Sequence, residues 1–287
     1  MTRMVKTLIT GKGTSGSWQI RGVQLGEAMG ATVMPMASLE AIRAHDVVIV
    51  VKRCPDVLLS RIRKAKKPWI WDAVDAWPQP AGNGWSEADA KAWLHSRLRW
   101  LSPSACVGAT SVMTEDIRER GFPATWIRHH ARPGQKINPI RDHVATIGYE
   151  GSAAHLGVWA TRIAKVARKM NIKWVSAPSQ LADLDIVVAL REQRGYPAMT
   201  WKSNVKLANA QGSGTPIILG DEFGYLETMC GAEIVINDAS EIGQAIERLR
   251  PRSQRLTIQH QLLEAARSVK FCAMLMTEFA TEVWKTS

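Results

Sequence analysis

The sequence is poor in the features that mark membrane, metal-binding and disulfide-built chains. No apolar run approaches the roughly 18–20 residues that span a bilayer. The opening MTRMVKTLITGKG carries a short apolar patch before its glycines, without the apolar core and small-residue cleavage site of a signal peptide. The expectation is therefore a cytoplasmic protein. Cysteines are few: Cys54, Cys106, Cys230 and Cys272 lie far apart and follow no metal-ligand spacing, so they read as reduced, mostly buried thiols. The histidines include one adjacent pair, His129 and His130, but no HxxxH or HExxH pattern, and no zinc site is expected. Low-complexity tracts and short-period repeats are also missing. With 46% hydrophobic and 22% charged residues in a chain of 287, the composition predicts a sizeable core and an ordered chain, and two domains of ordinary size fit comfortably.

Charge is plentiful and uneven. Residues 1–140 carry 20 Lys and Arg against 11 Asp and Glu, whereas residues 141–287 carry 17 against 15. Five basic residues crowd into one heptad: Arg61, Arg63, Lys64, Lys66 and Lys67. The bias suggests an acidic partner, either nucleic acid or an anionic membrane surface, although a single such cluster also reads as a solvated helix face.

The first half alternates strands and helices. MVKTLIT predicts a strand ending in GKGTSG. WQIRGVQLGEAMGA has helical spacing through Ile20, Val23, Leu25 and Met29, and ends at Gly30. ATVMPM, HDVVIVVKR, PWIWDAV, ACVGATSV and ATWIRHH predict further strands, the second buried on both faces. PDVLLSRIRKAKK, SEADAKAWLHSRLRWL (with Ser86 as N-cap) and TEDIRERG predict helices. ARPGQKINPIRDH, with two prolines and no periodicity, has the make-up of a linker. The rhythm then restarts through VATIGYEGS, HLGVWATRIAKVARKM, IKWVSA, DLDIVVAL, NVKLANAQGSG, TPIILG, AEIVIN and SEIGQAIERLR, with a helical C-terminal stretch from about Gln254 to Lys285. The pattern predicts an α/β fold of two doubly wound sheets.

Gly11, Gly13 and Gly16 form GxGxxG between a strand and a helix, a pattern that lets backbone approach a phosphate. A dinucleotide enzyme would place an acidic residue at the end of the second strand; MPMAS stands there, which argues against NAD.

The sharpest stretch is DLDIVVALREQRGYPAMTWKSNVKLANAQGSGTPIILG, Asp183 to Gly220. It resembles the donor-binding segment of GT-B glycosyltransferases: a strand, a basic loop, a K-S-N-x-K-L helix start, then small-x-G-T-P-I-I. IGYEGS is similar to the first strand and glycine loop of that family's second domain, and GDEFGYLET to its loop with an acidic residue near the donor sugar. The resemblance extends over nearly the whole chain. It implies two Rossmann-like domains facing a cleft, with a C-terminal helix packing back on the first. The expected boundaries are 1–131, a linker at 132–143, and 144–287. It implies a hexosyltransferase using a nucleotide sugar, UDP-glucose as the expected co-substrate, with no cofactor, no metal and no obligate protein partner. The donor set it implies is Gly151, Ser152, Arg191, Lys202, Asn204, Lys206, Asn209 and Glu222. Arg191, Lys202 and Lys206 would meet the diphosphate.

One part of the family pattern is missing. Retaining relatives carry two glutamates eight positions apart, and the corresponding residues here are Trp201 and Asn209. Asn209 keeps hydrogen-bonding capacity for ribose hydroxyls, and Glu222 or Glu227 stand as substitutes for the sugar contact. Asp183 and Asp185 in DLD precede a buried strand and read as a turn, not as a metal-binding DxD.

In the first half, WDAVDAWP places Asp72 and Asp75 just after a strand, where they serve either to deprotonate an acceptor hydroxyl or to cap the next segment. Six of the twelve tryptophans lie between Trp69 and Trp100. Most read as core, while Trp77 and Arg97, with Gly13 and Ser15, are the acceptor-binding candidates. The charge suggests an acceptor that is polyanionic or lies on an anionic surface. Resemblance to phage DNA-base glycosyltransferases favours DNA carrying hydroxymethylated bases, modified in the host cytoplasm. The alternatives are a peripheral membrane glycosyltransferase of lipid or glycan, and a nucleotide-binding module without activity.

Overall fold

Runs of β-branched and aromatic residues set the two sheets. The computed structural model describes residues 5–192 and 194–287. In chain order the first half forms β1 (Thr7–Gly11), α1 (Leu25–Met29), β2 (Thr32–Val33), α2 (Leu39–Arg43), β3 (Val47–Val51), α3 (Asp56–Ala65), β4 (Trp69–Asp72), α4 (Glu87–Leu101), β5 (Ala105–Gly108), α5 (Ser111–Arg118) and β6 (Ala124–Trp126). The second half forms β7 (Thr146–Tyr149), α6 (Val158–Lys169), β8 (Lys173–Ser176), β9 (Ile186–Ala189), α7 (Tyr196–Thr200), α8 (Val205–Ser213), β10 (Ile217–Leu219), α9 (Phe223–Leu226), β11 (Ile234–Val235), α10 (Ile242–Arg248), α11 (Arg252–Ala265) and α12 (Val269–Thr286).

All pairings are parallel. The first sheet runs β2-β1-β3-β4-β5-β6 and the second β11-β10-β9-β7-β8. Strand β3, VVIVV, is buried at every position because helices cover both faces of a parallel sheet. Each sheet reverses its winding once, between β1 and β3 in the first and between β7 and β9 in the second. Open α/β sheets bind ligands at such switch points, outside the carboxyl ends of the strands.

The chain divides into two compact units. One holds residues up to His129 with Gly195–Ser203 and Ser268–Ser287; the other holds His130–Arg194 and Asn204–Arg267. Helix α12 closes the first unit's core, burying Cys272, Ala273, Met276, Ala280 and Val283 with Ile9, Leu25 and Ile49. This is the packing that the family resemblance implies for the C-terminal helix.

Two stretches fall differently from the sequence division. Residues 132–143, which have linker composition, are tied into the second unit. Asn138 Nδ2 donates to Leu184 O (2.6 Å) and Thr215 Oγ1 (3.1 Å), and Arg141 pairs with Asp185 (3.0 Å). Gly195–Ser203 joins the first unit because its aromatics are claimed there. Trp201 Nε1 and Tyr196 Oη both donate to Asp116 Oδ2, at 2.6 and 3.0 Å.

The helix after β1 departs from the expected α-helical register. It opens as a π-helix, Trp18–Gln24, before α1. The wider turn buries Trp18, Arg21 and Gly22, leaving Ile20 and Val23 only half-buried. Gly22 is required there: a Cβ would lie 2.7 Å from the Trp18 ring. The ATVMPM strand shrinks to two residues, and the C-terminal helical stretch breaks at Ala266–Ser268, where the Ser268 side chain accepts from Phe271 N and starts α12. Ser86 caps α4 as expected, accepting from Asp89 N (3.2 Å). Asp185 is a structural turn residue, accepting from Ala145 N, Thr146 N and Thr146 Oγ1 at 2.8–2.9 Å.

Candidate functional site

Each unit carries a polar site at the carboxyl edge of its own sheet. In the second unit the site is built around Arg191, which leaves the end of β9 beside the switch point. Its Nε lies 3.2 Å from Glu222 Oε1, and its Nη2 lies 3.5 Å from Tyr225 Oη. Glu222 follows β10 and is 3% exposed. Burial pushes its carboxyl up against the pull of Arg191. For Arg191, burial opposes the charge, but Tyr225, Glu222 and Tyr149 around it outweigh that and raise its pKa.

Neither Glu222 carboxylate oxygen, nor Arg191 Nε, has a hydrogen-bond partner in proper geometry, although all three atoms are buried. Gly220 leaves space for that carboxylate, since a Cβ there would meet Glu222 Oε2 at 2.7 Å. Buried charged atoms with unfilled bonding capacity are costly unless a ligand supplies the partner.

Three further elements border this site. Lys206, in the first turn of α8, holds its Nζ 5.0 Å from the Tyr149 ring centroid. Asn209, one turn on, donates to Glu150 Oε1 (2.8 Å) and accepts from Arg132 N (3.0 Å). Arg132 pairs with the same Glu150 oxygen, while Glu150 Oε2 is buried without a partner. Gly151 and Ser152 continue from Glu150, the serine Oγ accepting from Ala154 N (3.4 Å). Asn204, 2% exposed, immediately precedes α8.

Of the expected donor residues, the second unit thus contains Arg191, Lys206, Asn209, Glu222, Gly151, Ser152 and Asn204, whereas Lys202 lies in the first. Tyr149, Glu150, Tyr225 and Arg132 were not singled out from sequence. Glu150 and Tyr149 stand in the quoted IGYEGS, and Tyr225 in GDEFGYLET, so proximity to those loops was the available signal.

In the first unit, a cavity of about 290 Å³ opens at the β1/β3 switch point. Lys12, Gly13, Thr14 and Ser15 line it from the glycine loop, with Trp18, Val51, Lys52 and Arg53. Gly13 has φ +87°, and a Cβ there would meet Pro35 Cβ at 2.5 Å, so only glycine lets the loop pass so close. Lys52 bridges from this cavity to Asp75, its Nζ 2.5 Å from Oδ1; Lys202 Nζ lies 2.6 Å from Oδ2. Burial opposes the Asp75 charge, but the two lysines win and hold the carboxyl well below the usual range. A carboxylate held that way accepts a proton poorly.

Lys52 (φ +59°) and the buried Val74 (φ +49°) are both in left-handed backbone, a rare and strained conformation for non-glycine residues. Such strain tends to concentrate at functional sites. Asp72 is 1% exposed and bonded to Arg21 Nε (2.7 Å), while Arg21 Nη1 donates to Ile127 O (3.1 Å). Trp77 is buried, donates to Asn83 Oδ1 (3.2 Å) and lies under Lys202, whose Nζ is 5.2 Å from the ring centroid. Arg97 is on α4, stacked 4.3 Å over Trp100. The structure therefore gathers Gly13 and Ser15 in the cavity, places Asp75 beside it through Lys52, and sets Asp72 and Arg97 elsewhere.

No family model and no characterised protein matches the chain by sequence. Solved structures match it in shape. Anabaena HepE, in complex with UDP and glucose, superposes with a TM-score of 0.69 at 10% identity, covering 96% of this chain and 99% of HepE. Sucrose-phosphate synthase from Thermosynechococcus elongatus gives 0.66 at 10%, covering 98% and 100%. AviGT4, a glycosyltransferase involved in avilamycin A biosynthesis, gives 0.59 at 12%, covering 99% of each chain. At these identities the likeness is one of architecture: the chain has the two-sheet α/β fold of GT-B glycosyltransferases.

Proposed function

We propose that the protein is a glycosyltransferase that takes a sugar from a UDP-sugar and places it on a hydroxyl of a polyanionic acceptor, namely hydroxymethylated bases of DNA. The observation that carries the donor half is the buried pair of Arg191 and Glu222 at the β7/β9 switch point, with its unfilled hydrogen bonds. Breaking the sugar–phosphate bond leaves growing negative charge on the diphosphate. Arg191 and Lys206 are fixed cations suited to stabilise it, a contribution that grows in a site shielded from water. Glu222 accepts from sugar hydroxyls, and the Asn209–Glu150 pair accepts from ribose hydroxyls, where the family pattern has a glutamate. HepE, of the same fold, is seen with UDP and glucose, which supports a UDP-sugar donor.

The acceptor half rests on charge. The cavity lined by Lys12, Lys52 and Arg53 suits an anionic acceptor, and the first half of the chain holds most of the excess of +11. Lys202 belongs to this side through Asp75. Asp75 acts as a positioning residue that holds two ammonium groups at the strand edge. Asp72 is a structural partner of Arg21.

The test is transfer of labelled sugar from a UDP-sugar panel to hydroxymethylated and unmodified duplex DNA at low and moderate salt. Label in modified DNA alone, fading as salt rises, is the expected result. Label in a lipid or glycan acceptor instead would overturn the DNA half and keep the donor half. No transfer to any acceptor, with UDP still bound, would leave a nucleotide-binding module.

A further inference from the structure

The basic heptad that dominates the sequence is not part of the cavity just described. Arg61 is engaged in structure, its Nη1 donating to Met36 O (2.9 Å) and Ala37 O (3.1 Å). The others face outward from α3 and the turn after it. Helix α3 ends at Lys66, which takes a left-handed φ of +52°, and the chain then enters β4 through Lys67 and Pro68. This turn therefore lies at the amino ends of the strands, opposite the edge that carries Lys12 and Lys52. The carboxyl end of α4, which leads into the amino end of β5, meets α3 here. Arg63 donates to Trp100 O, and Asp56, Leu59, Ser60, Arg63, Lys64 and Trp100 line a shallow groove of about 520 Å³.

Two properties of this face identify a partner. Among the described residues, no carboxylate lies within ion-pair distance of Arg63, Lys64, Lys66, Lys67 or Arg97. Arg118, Arg194 and Arg250 elsewhere are paired, whereas among the described residues Lys165 and Lys169 on α6 are not, so what marks this face is the crowding of its cations around an aromatic ring. Asp56 is the single carboxylate lining the groove. Secondly, Trp100 is 39% exposed, with Arg97 stacked on its ring. An aromatic set among unpaired guanidinium and ammonium groups is the arrangement that binds nucleic acid, with phosphates on the cations and a sugar or base edge against the ring. An anionic membrane would need a contiguous apolar face beside the charge, and here Val57 and Trp100 are the exposed large apolar side chains.

We propose that this α3–α4 face is a DNA-binding surface separate from the acceptor cavity, which holds the phosphate backbone of a strand away from the reacting base. This surface rests on the proposed DNA acceptor, but its binding is measured apart from the transfer chemistry.

The experiment is anisotropy titration of a short fluorescein-labelled DNA duplex against the full chain and two variants, as a function of salt, with flotation on phosphatidylserine-containing vesicles in parallel. Lys64→Glu with Lys67→Glu should weaken binding about tenfold or more and flatten the log–log salt slope by about 2, one for each lost phosphate contact. Trp100→Ala should weaken it about threefold or more with the slope unchanged, because an apolar contact with a sugar releases no counterions. Lys64→Gln with Lys67→Gln provides a milder pair, and thermal melts check that each variant folds. Duplex binding equal to wild type in both kinds of variant would overturn the proposal, as would flotation with vesicles and no binding to DNA. Sugar transfer to DNA that persists beside unchanged binding would sink this surface and leave the proposed function standing. Binding lost in the variants, with no transfer by wild type to any DNA, would sustain the surface and remove the DNA acceptor.

Discussion

At the scale of single residues, the candidate site is defined by charges whose surroundings conflict with their burial. Glu222 sits against Arg191 without a proper hydrogen bond, and the unfilled capacity points to a ligand. On the proposed function, Glu222→Gln removes a charged acceptor for sugar hydroxyls while leaving Arg191 for the diphosphate. A hydrogen bond to a charged group contributes about 1.5–3 kcal/mol, so kcat/KM for transfer should fall about tenfold to a hundredfold. UDP affinity should hold or tighten. Steady-state kinetics with isothermal titration of UDP separates the two, and a matching loss of UDP affinity would count against a sugar-side role.

Asp75 makes the opposite case. Its folded pKa is depressed by Lys52 and Lys202, so between that value and the unfolded carboxyl pKa the unfolded chain binds more protons. The stability it contributes is therefore complete above about pH 4 and is lost as pH falls through the folded pKa. Asp75→Asn leaves two ammonium groups facing each other, and we expect a loss of about 2 kcal/mol near neutrality, less than for a fully buried pair. Urea melts from neutral to acid pH check this: the gap between wild type and variant should narrow as pH drops. A gap that stayed constant would show that the carboxylate charge is not its source.

At the scale of elements, most strands and helices were legible because periodicity and caps are local. VVIVV, IVVA and IIL are short, β-branched and flanked by turns, and Ser86 announces α4. The π-helical opening before α1 was not legible, since it depends on the Trp18 ring filling the space that Gly22 leaves. Nor was the departure of Gly195–Ser203 from its sequence neighbours, which follows from one distant carboxylate, Asp116, that satisfies both Trp201 and Tyr196. Asp185 shows how one side chain fixes an element: it accepts from the backbone at the start of β7 and pairs with Arg141. Asp185→Ala leaves those part-buried donors without their carboxylate and should lower the unfolding free energy by about 2 kcal/mol. A denaturant titration should show the shift in midpoint with little change in slope, and a loss under 1 kcal/mol would mean that water replaces the carboxylate.

At the scale of the whole molecule, two sheets of like winding each present a switch point, one lined by lysine and arginine and one by a buried Arg–Glu pair. The formal charge of +11 predicts that KM for a DNA acceptor rises steeply with salt while UDP binding changes much less, because many phosphates and only one diphosphate are contacted. Acceptor KM and UDP affinity measured over the same salt series check this, and parallel slopes would argue against a polyanionic acceptor.

The sequence by itself determined the alternation of elements, the parallel α/β class and the presence of two sheets. Those follow from periodicity, turn chemistry and a short, specific motif between Asp183 and Gly220, all written in neighbouring residues. Only the tertiary structure decided what each charge does. It consigned Asp72 to Arg21 and Arg61 to backbone carbonyls, and set Lys202 on Asp75. It joined Arg191 to Glu222 across two strands and turned the remaining basic heptad away from the strand edge that carries Lys12 and Lys52. The reason is that a charge takes its role from partners within a few ångströms, and in a doubly wound sheet those partners come from strands and loops far apart in the chain.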